Sequence, residues 1–260
     1  DGLNRYDGKN FKIYRASSSK QKSLLSNAIF SIYCDTTGIL LVGTGKGLSK
    51  YNFDKDNFEP IIDKVIVNDI TKKSNGEYAV ATNAGIYIIS SNFEKTNKLT
   101  KENLLSENIT DIIEDKNQNL WFLYYHNGLG SISNEGKVQN YSKKFHNLDA
   151  EICKDIIINH KGEIVIGTYD NGIFTYNKHL DWFLPLPLNA REAFGKSKNP
   201  NVNKILCIHE DEKNRLWFGT DGAGLGLYDS RRREIKNYIH VLGNGRSISD
   251  NVVNSIFTDG

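Results

Sequence analysis

Apolar residues recur along the chain in short runs separated by glycine-rich and polar turns, and five of these runs align with one another. Residues 38–44, 76–82, 119–124, 162–168 and 214–220 place Leu41, Ala79, Trp121, Val165 and Trp217 in one column. Successive positions in that column lie 38, 42, 44 and 52 residues apart. A period of about 40 to 45 residues is that of propeller blades. The last spacing is long because residues 184–200, with three prolines, read as an inserted loop that includes Trp182 at its approach and Arg191, Glu192 and Phe194 within it.

Three further strand signals accompany each run. Upstream stands an apolar pair three residues apart, followed three residues later by Asp or a stand-in: Ile29, Ile32, Asp35; Val67, Ile70, Lys73; Ile109, Ile112, Asp115; Cys153, Ile156, Asn159; Ile205, Ile208, Asp211. Asp at a strand end usually bonds its own backbone, so these acids read as turn formers and not as metal ligands. Downstream comes a Gly-apolar strand beginning at Gly47, Gly85, Gly128, Gly172 and Gly224. A short connection there needs φ > 0 or close backbone approach, which glycine supplies cheaply. A fourth, weaker run follows, as at 58–61, 138–141 and 235–239. Helical periodicity is hard to find.

The expected fold class is therefore all-β, a β-propeller with four-stranded antiparallel blades, since radial repetition protects sheet edges. A flat solenoid is the alternative. Residues 1–260 read as a single propeller domain or fragment. Complete repeats fall at about 24–61, 65–99, 104–141, 150–186 and 200–240, with partial repeats at 1–14 and 247–260. The first partial repeat matches third and fourth strands, and Val253, Ile256 and Asp259 match a first strand. Together they lack a second strand, so the chain is expected to be part of a seven-bladed ring.

Composition narrows the function. With 33 basic and 31 acidic residues the net charge is +2, without the basic surplus of a nucleic-acid binder. Arg231, Arg232 and Arg233 form the one basic run and read as a solvated turn before Glu234. No stretch approaches the ~20 apolar residues of a membrane span. The chain opens at Asp1, so an upstream segment is expected to have been removed. Cys34, Cys153 and Cys207 have no metal-like spacing and read as inert core thiols. No catalytic set, metal site or cofactor is expected.

The succession of Asn, an apolar pair, Asp, Gly, Leu-Trp-Phe-Gly-Thr, Gly-Leu and Tyr, best spelled over residues 203–228 and 27–51, resembles the two-component-regulator propeller repeat. Ala81 in the second repeat and Leu123, Tyr124 and Tyr125 in the third depart from it. The resemblance implies the periplasmic, extracytoplasmic sensor of a hybrid two-component system (histidine kinase and response regulator) of Bacteroidetes. Such sensors have two seven-bladed propellers, a β-sandwich, a membrane helix and a kinase, and they control polysaccharide-utilisation genes. Expected partners are an oligosaccharide, a second propeller and a β-sandwich domain of the same chain, with homodimerisation left open and no nucleic acid. A propeller lyase of the streptogramin-inactivating kind and an interaction scaffold are the alternatives. The absence of Gly-His and Trp-Asp signatures counts against a WD-type scaffold.

The loops between second and third strands gather on one propeller face. Tyr124, Tyr125, His126, Tyr169, Asp170 and Asp221 fall in them and form the expected ligand-binding set. Aromatic faces beside carboxylates suit sugar rings, and convergent polar groups in a concavity are the general expectation for small ligands. Ordinary polar loop residues are the competing reading. Trp121 and Trp217 read as packing between blades. The six histidines show no pairing, and His160 lies at the opposite end of its repeat from His126.

Overall fold

The computed structural model of the chain describes residues 1–17, 22–100, 102–186 and 200–258. Among these, β1 (Leu3–Tyr6) and β2 (Phe11–Tyr14) form a two-stranded sheet, and five four-stranded sheets follow. The first holds β3 (Ile29–Cys34), β4 (Leu40–Thr44), β5 (Gly47–Asn52) and β6 (Asn57–Asp63). The second holds β7 (Val67–Lys72), β8 (Tyr78–Thr82), β9 (Gly85–Ile89) and β10 (Thr96–Leu99). The third is β11 (Ile109–Glu114), β12 (Leu120–Tyr124), β13 (Leu129–Ile132) and β14 (Val138–Tyr141). The fourth is β15 (Cys153–Ile158), β16 (Ile164–Thr168), β17 (Gly172–Asn177) and β18 (Trp182–Pro185). The fifth is β19 (Ile205–Glu210), β20 (Leu216–Thr220), β21 (Leu225–Asp229) and β22 (Glu234–Tyr238). Within every sheet each strand neighbours the next in sequence, which is the blade meander that the repeat predicts.

The chain divides into two compact units, residues 1–122 with 133–138 and residues 123–132 with 139–260. In the first unit Leu41, Leu48, Val67, Ile70, Tyr78 and Val80 bury one another between the first and second sheets. Gly43 stands where those sheets meet, because an added Cβ would lie 2.6 Å from Cγ1 of Val67. The second unit repeats the arrangement with Val165, Ile173, Ile205, Ile208 and Phe218. Full burial of such side chains stabilises by roughly 1.5–3 kcal/mol each, as an upper estimate.

The end-of-strand acids are turn formers, as expected. Oδ1 of Asp35 accepts from the amides of Thr37 and Ile39, Oδ1 of Asp115 from Asn117 and Asn119, and Oδ1 of Asp211 from Lys213 and Arg215. Asn159 does the same for Lys161 and Glu163. Their second oxygen has a use that the sequence does not announce. Trp121 and Trp217 donate their indole N–H to Oδ2 of Asp115 and Asp211, at 3.0 and 2.9 Å. In the first repeat the column residue is Leu41, and Oδ2 of Asp35 instead accepts from Lys72 (2.7 Å) and Tyr78 (3.1 Å) of the following sheet. Trp217, moreover, stacks on Tyr238 of its own sheet, where packing between blades was expected.

Several expectations need correction. Trp182 opens β18 and pairs with Asn177, so it belongs to a fourth strand and not to an insertion; Arg191, Glu192 and Phe194 lie outside the described residues. Cys34 is exposed because β3 alternates faces, whereas Cys153 and Cys207 are buried. Residues 253–258 form no strand: Val252 makes one antiparallel bridge to Asp221, and Val253 donates to the Thr220 carbonyl at 3.0 Å. Asp259 lies outside the described residues. One helical turn, α1 (Lys143–His146), stands between the third and fourth sheets in sequence. Arg231 and Arg232 sit in a turn closed by Asp229, as expected.

Candidate functional site

The loop joining second and third strands is built the same way in four repeats. Thr44, Thr82, Thr168 and Thr220 are fully buried and donate their hydroxyls to the carbonyls of Gly47, Gly85, Gly172 and Gly224 at 2.7–2.9 Å. The same hydroxyls accept from loop amides, those of Lys46, Ala84, Asn171 and Ala223. This latch fixes the loop from both sides. The glycine beside it answers two demands: Gly224 has φ +89, and a Cβ there would lie 2.3 Å from the Tyr238 carbonyl.

One residue past the threonine, the backbone is anchored again. Gly45, Asn83, Tyr169 and Asp221 donate their amides to the carbonyls of Ala28, Ile66, Ile152 and Lys204, each just before or near the start of the first strand. Two of the expected site residues, Tyr169 and Asp221, therefore hold equivalent positions in neighbouring repeats, and the structure brings them together. The Tyr169 hydroxyl donates to Oδ2 of Asp221 at 2.5 Å. Accepting that bond, Asp221 keeps the proton on the phenol and raises its pKa above the ordinary tyrosine value. Nζ of Lys154 and of Lys204 lie 5.3 and 5.2 Å from the Tyr169 ring centroid.

Lys154 owes its place to a β-bulge. Cys153 pairs with Thr168 and Asp155 with Gly167, which leaves Lys154 as the extra residue of β15. Bulges re-aim a side chain at a strand end, and the same slip recurs at Phe30, Asn68 and Leu206. The sequence analysis does not single out Lys154 or Lys204. Their signal is a lysine at or just before the start of an apolar first strand.

Tyr125 is 53% exposed and touches His126 edge-on, with ring centroids 4.4 Å apart. Asp170 is exposed and makes no hydrogen bond or ion pair among the described residues. No described contact joins Tyr125 or His126 to Tyr169 or Asp221. Tyr124 is a correction to the expected set. It ends β12 in the position of the latch threonine, its ring is fully buried, and its hydroxyl donates to Asn140 at 2.8 Å. A larger ring fills the space of a small hydroxyl residue and turns inward.

The histidines stay apart from one another. His160 bonds Glu210 through Nδ1 at 2.7 Å, His209 faces Thr258, and His240 bonds the Ile248 carbonyl. Among the described residues no cluster of three or more His, Cys, Asp or Glu could hold a metal ion.

Comparison with known proteins places these repeats. The family model described as two component regulator propeller matches residues 103–126 and 199–222, the segments that carry Asp115 with Trp121 and the first strand through Thr220 of the fifth sheet. Those two segments match the two-component regulator propeller repeat. Among solved structures, one like it is the extracellular domain of a hybrid two component system, BT3049, from B. thetaiotaomicron. The identity is 22% and the TM-score 0.81, over 99% of this chain and 35% of that one. The surface component PorZ of the type-IX secretion system of Porphyromonas gingivalis is 15% identical, with TM-score 0.67 over 97% of this chain and 39% of that one. Virginiamycin B lyase from Staphylococcus aureus is 19% identical, with TM-score 0.60 over 83% of this chain and 71% of the lyase. This chain thus spans about a third of the first of these structures. A search of curated proteins by sequence gives no match. The four-stranded meanders, the two matched repeats and these likenesses fix the fold class as a β-propeller with four-stranded blades.

Proposed function

We propose that the chain is part of the periplasmic, extracytoplasmic sensor of a hybrid two-component protein, where it binds an oligosaccharide and signals to polysaccharide-utilisation genes. The observation that carries this reading is the rim built by the two-component regulator propeller repeats. There, the third repeat, with Tyr124 in place of the latch threonine, exposes Tyr125 and His126, and the latched loops of the next two repeats carry the Tyr169–Asp221 pair. Aromatic and polar groups at loop positions, two of them half-buried on fixed backbone and two exposed, suit recognition of a polyhydroxylated ring, and this asks for no chemistry in this chain. Signalling then needs only that the ligand bind two conformational states with different affinity.

Calorimetric titration against a panel of plant and host oligosaccharides tests the proposal. Saturable heat without turnover is the expected result. Substituting Tyr125→Ala should weaken binding roughly tenfold, the equivalent of about 1.4 kcal/mol. Product formed from any ligand would overturn sensing and favour the lyase reading, for which the fold likeness to virginiamycin B lyase speaks.

A further inference from the structure

The ring of Tyr169 sits beside two ammonium groups, a circumstance shared by no other aromatic ring among the described residues. Elsewhere a lysine near a ring can have a carboxylate as well: Lys72 pairs with Asp35, and Lys12 with Asp56. Lys154 and Lys204 have none within ion-pair distance, although Asp221 is close by. That carboxylate is committed to the Tyr169 hydroxyl. The two cations are therefore gathered at one place with neither in an ion pair, while the nearby carboxylates of Asp221 and Asp170 act on the Tyr169 hydroxyl.

Each is also held. Lys154 is the bulged residue of β15, and the carbonyl of Lys204 accepts the Asp221 amide at 2.9 Å. An aromatic face attracts an ammonium by roughly 0.5–1 kcal/mol at an exposed site, enough to bias where a flexible side chain rests. Tyr169 then acts as a positioning residue for two cations more than as a platform for a sugar ring, and Asp221 orients the phenol from behind.

We infer that this rim selects an acidic saccharide, one bearing a carboxylate or sulfate on its sugar ring, through Lys154 and Lys204 gathered at Tyr169. The inference rests on the oligosaccharide-sensing reading and narrows it to a ligand class. Ammonium-to-oxyanion hydrogen bonds are about twice as strong as neutral ones, so an acidic ligand gains where a neutral one does not.

The test is calorimetric titration of the full chain with three probes: oligogalacturonate, a sulfated glycosaminoglycan oligosaccharide and a neutral oligogalactan. One or both acidic probes should bind, more weakly as salt rises, and which of them binds separates carboxylate from sulfate. Lys154→Gln and Lys204→Gln should each weaken that binding about tenfold, and the double substitution should abolish it. Tyr169→Phe keeps the ring and should retain most affinity, whereas Tyr169→Ala should lose it; melting temperatures confirm that each variant folds. Acidic binding unchanged in both lysine variants overturns the inference. So does binding of the neutral probe alone, a result that leaves oligosaccharide sensing intact. Binding of no saccharide in this set or in the wider panel removes both.

Discussion

At the scale of single residues, the acids that end the first strands carry more than a turn. Asp35 is held well below the usual carboxylate range, first by Lys72 and then by Thr37 and the turn amides. Burial works against ionisation of Asp211, yet Arg215, Trp217 and the turn amides outweigh it and lower its pKa too; Asp115 follows the same balance with Trp121. A carboxylate whose folded pKa is depressed contributes stability that is present above its unfolded pKa of about 3.9 and is lost as pH falls through the folded value. Stability measured by urea unfolding should therefore hold from neutral pH down to about 4 and fall steeply below it. Asp211→Ala should cost about 1–3 kcal/mol at pH 7, since it strips two amides and an indole of their acceptor, and should flatten the acid limb of that profile. Thiol labelling offers an independent check. Cys34 should react in the native protein, whereas Cys153, whose thiol burial pushes up to about 12, and Cys207, pushed up to about 11, should react only on unfolding.

The sequence spoke clearly about the turns and faintly about these second partners. An Asp before a tight turn is a local signal, readable from two or three neighbours. Its bond to a tryptophan six residues on requires knowing the register of the hairpin. The borrowing of Lys72 and Tyr78 by Asp35 requires knowing which sheet comes next in space.

At the scale of the element, the latch explains why the second strand ends in threonine. Its hydroxyl donates across the loop and accepts from within it, two bonds that valine cannot make. Thr220→Val should thus lower stability by roughly 1–3 kcal/mol with little change in packed volume. Gly224→Ala should cost at least as much, because the left-handed backbone and the Tyr238 carbonyl both oppose a Cβ. Thermal unfolding of the two variants measures both. The loop glycines were legible from spacing alone. The inward turn of Tyr124 was not, because a tyrosine in a loop-like stretch reads as exposed until the strand is seen to run through it.

For the molecule as a whole, the 40-residue period carried the fold, since four strands per repeat leave few ways to protect sheet edges. The contacts between sheets were less visible. Gly219 faces the Val253 carbonyl and the Cys207 sulfur, with an added Cβ at 2.4 and 2.5 Å, so Gly219→Ala should displace the segment after the fifth sheet. Hydrogen exchange of the Val253 amide, which is bonded to Thr220, would report that displacement as a loss of protection. In the sequence this glycine is one letter of a repeat motif, and its neighbour lies 34 residues away.

The position just beyond each latch is tied down by main-chain atoms alone, and it accommodates glycine at 45, asparagine at 83, tyrosine at 169 and aspartate at 221 with the same backbone bond. Selection can therefore rewrite that one letter in each repeat while the hydrophobic interior stays as it is. A protein assembled from such units can change what its rim recognises by single substitutions, repeat by repeat, without first acquiring stability to spare.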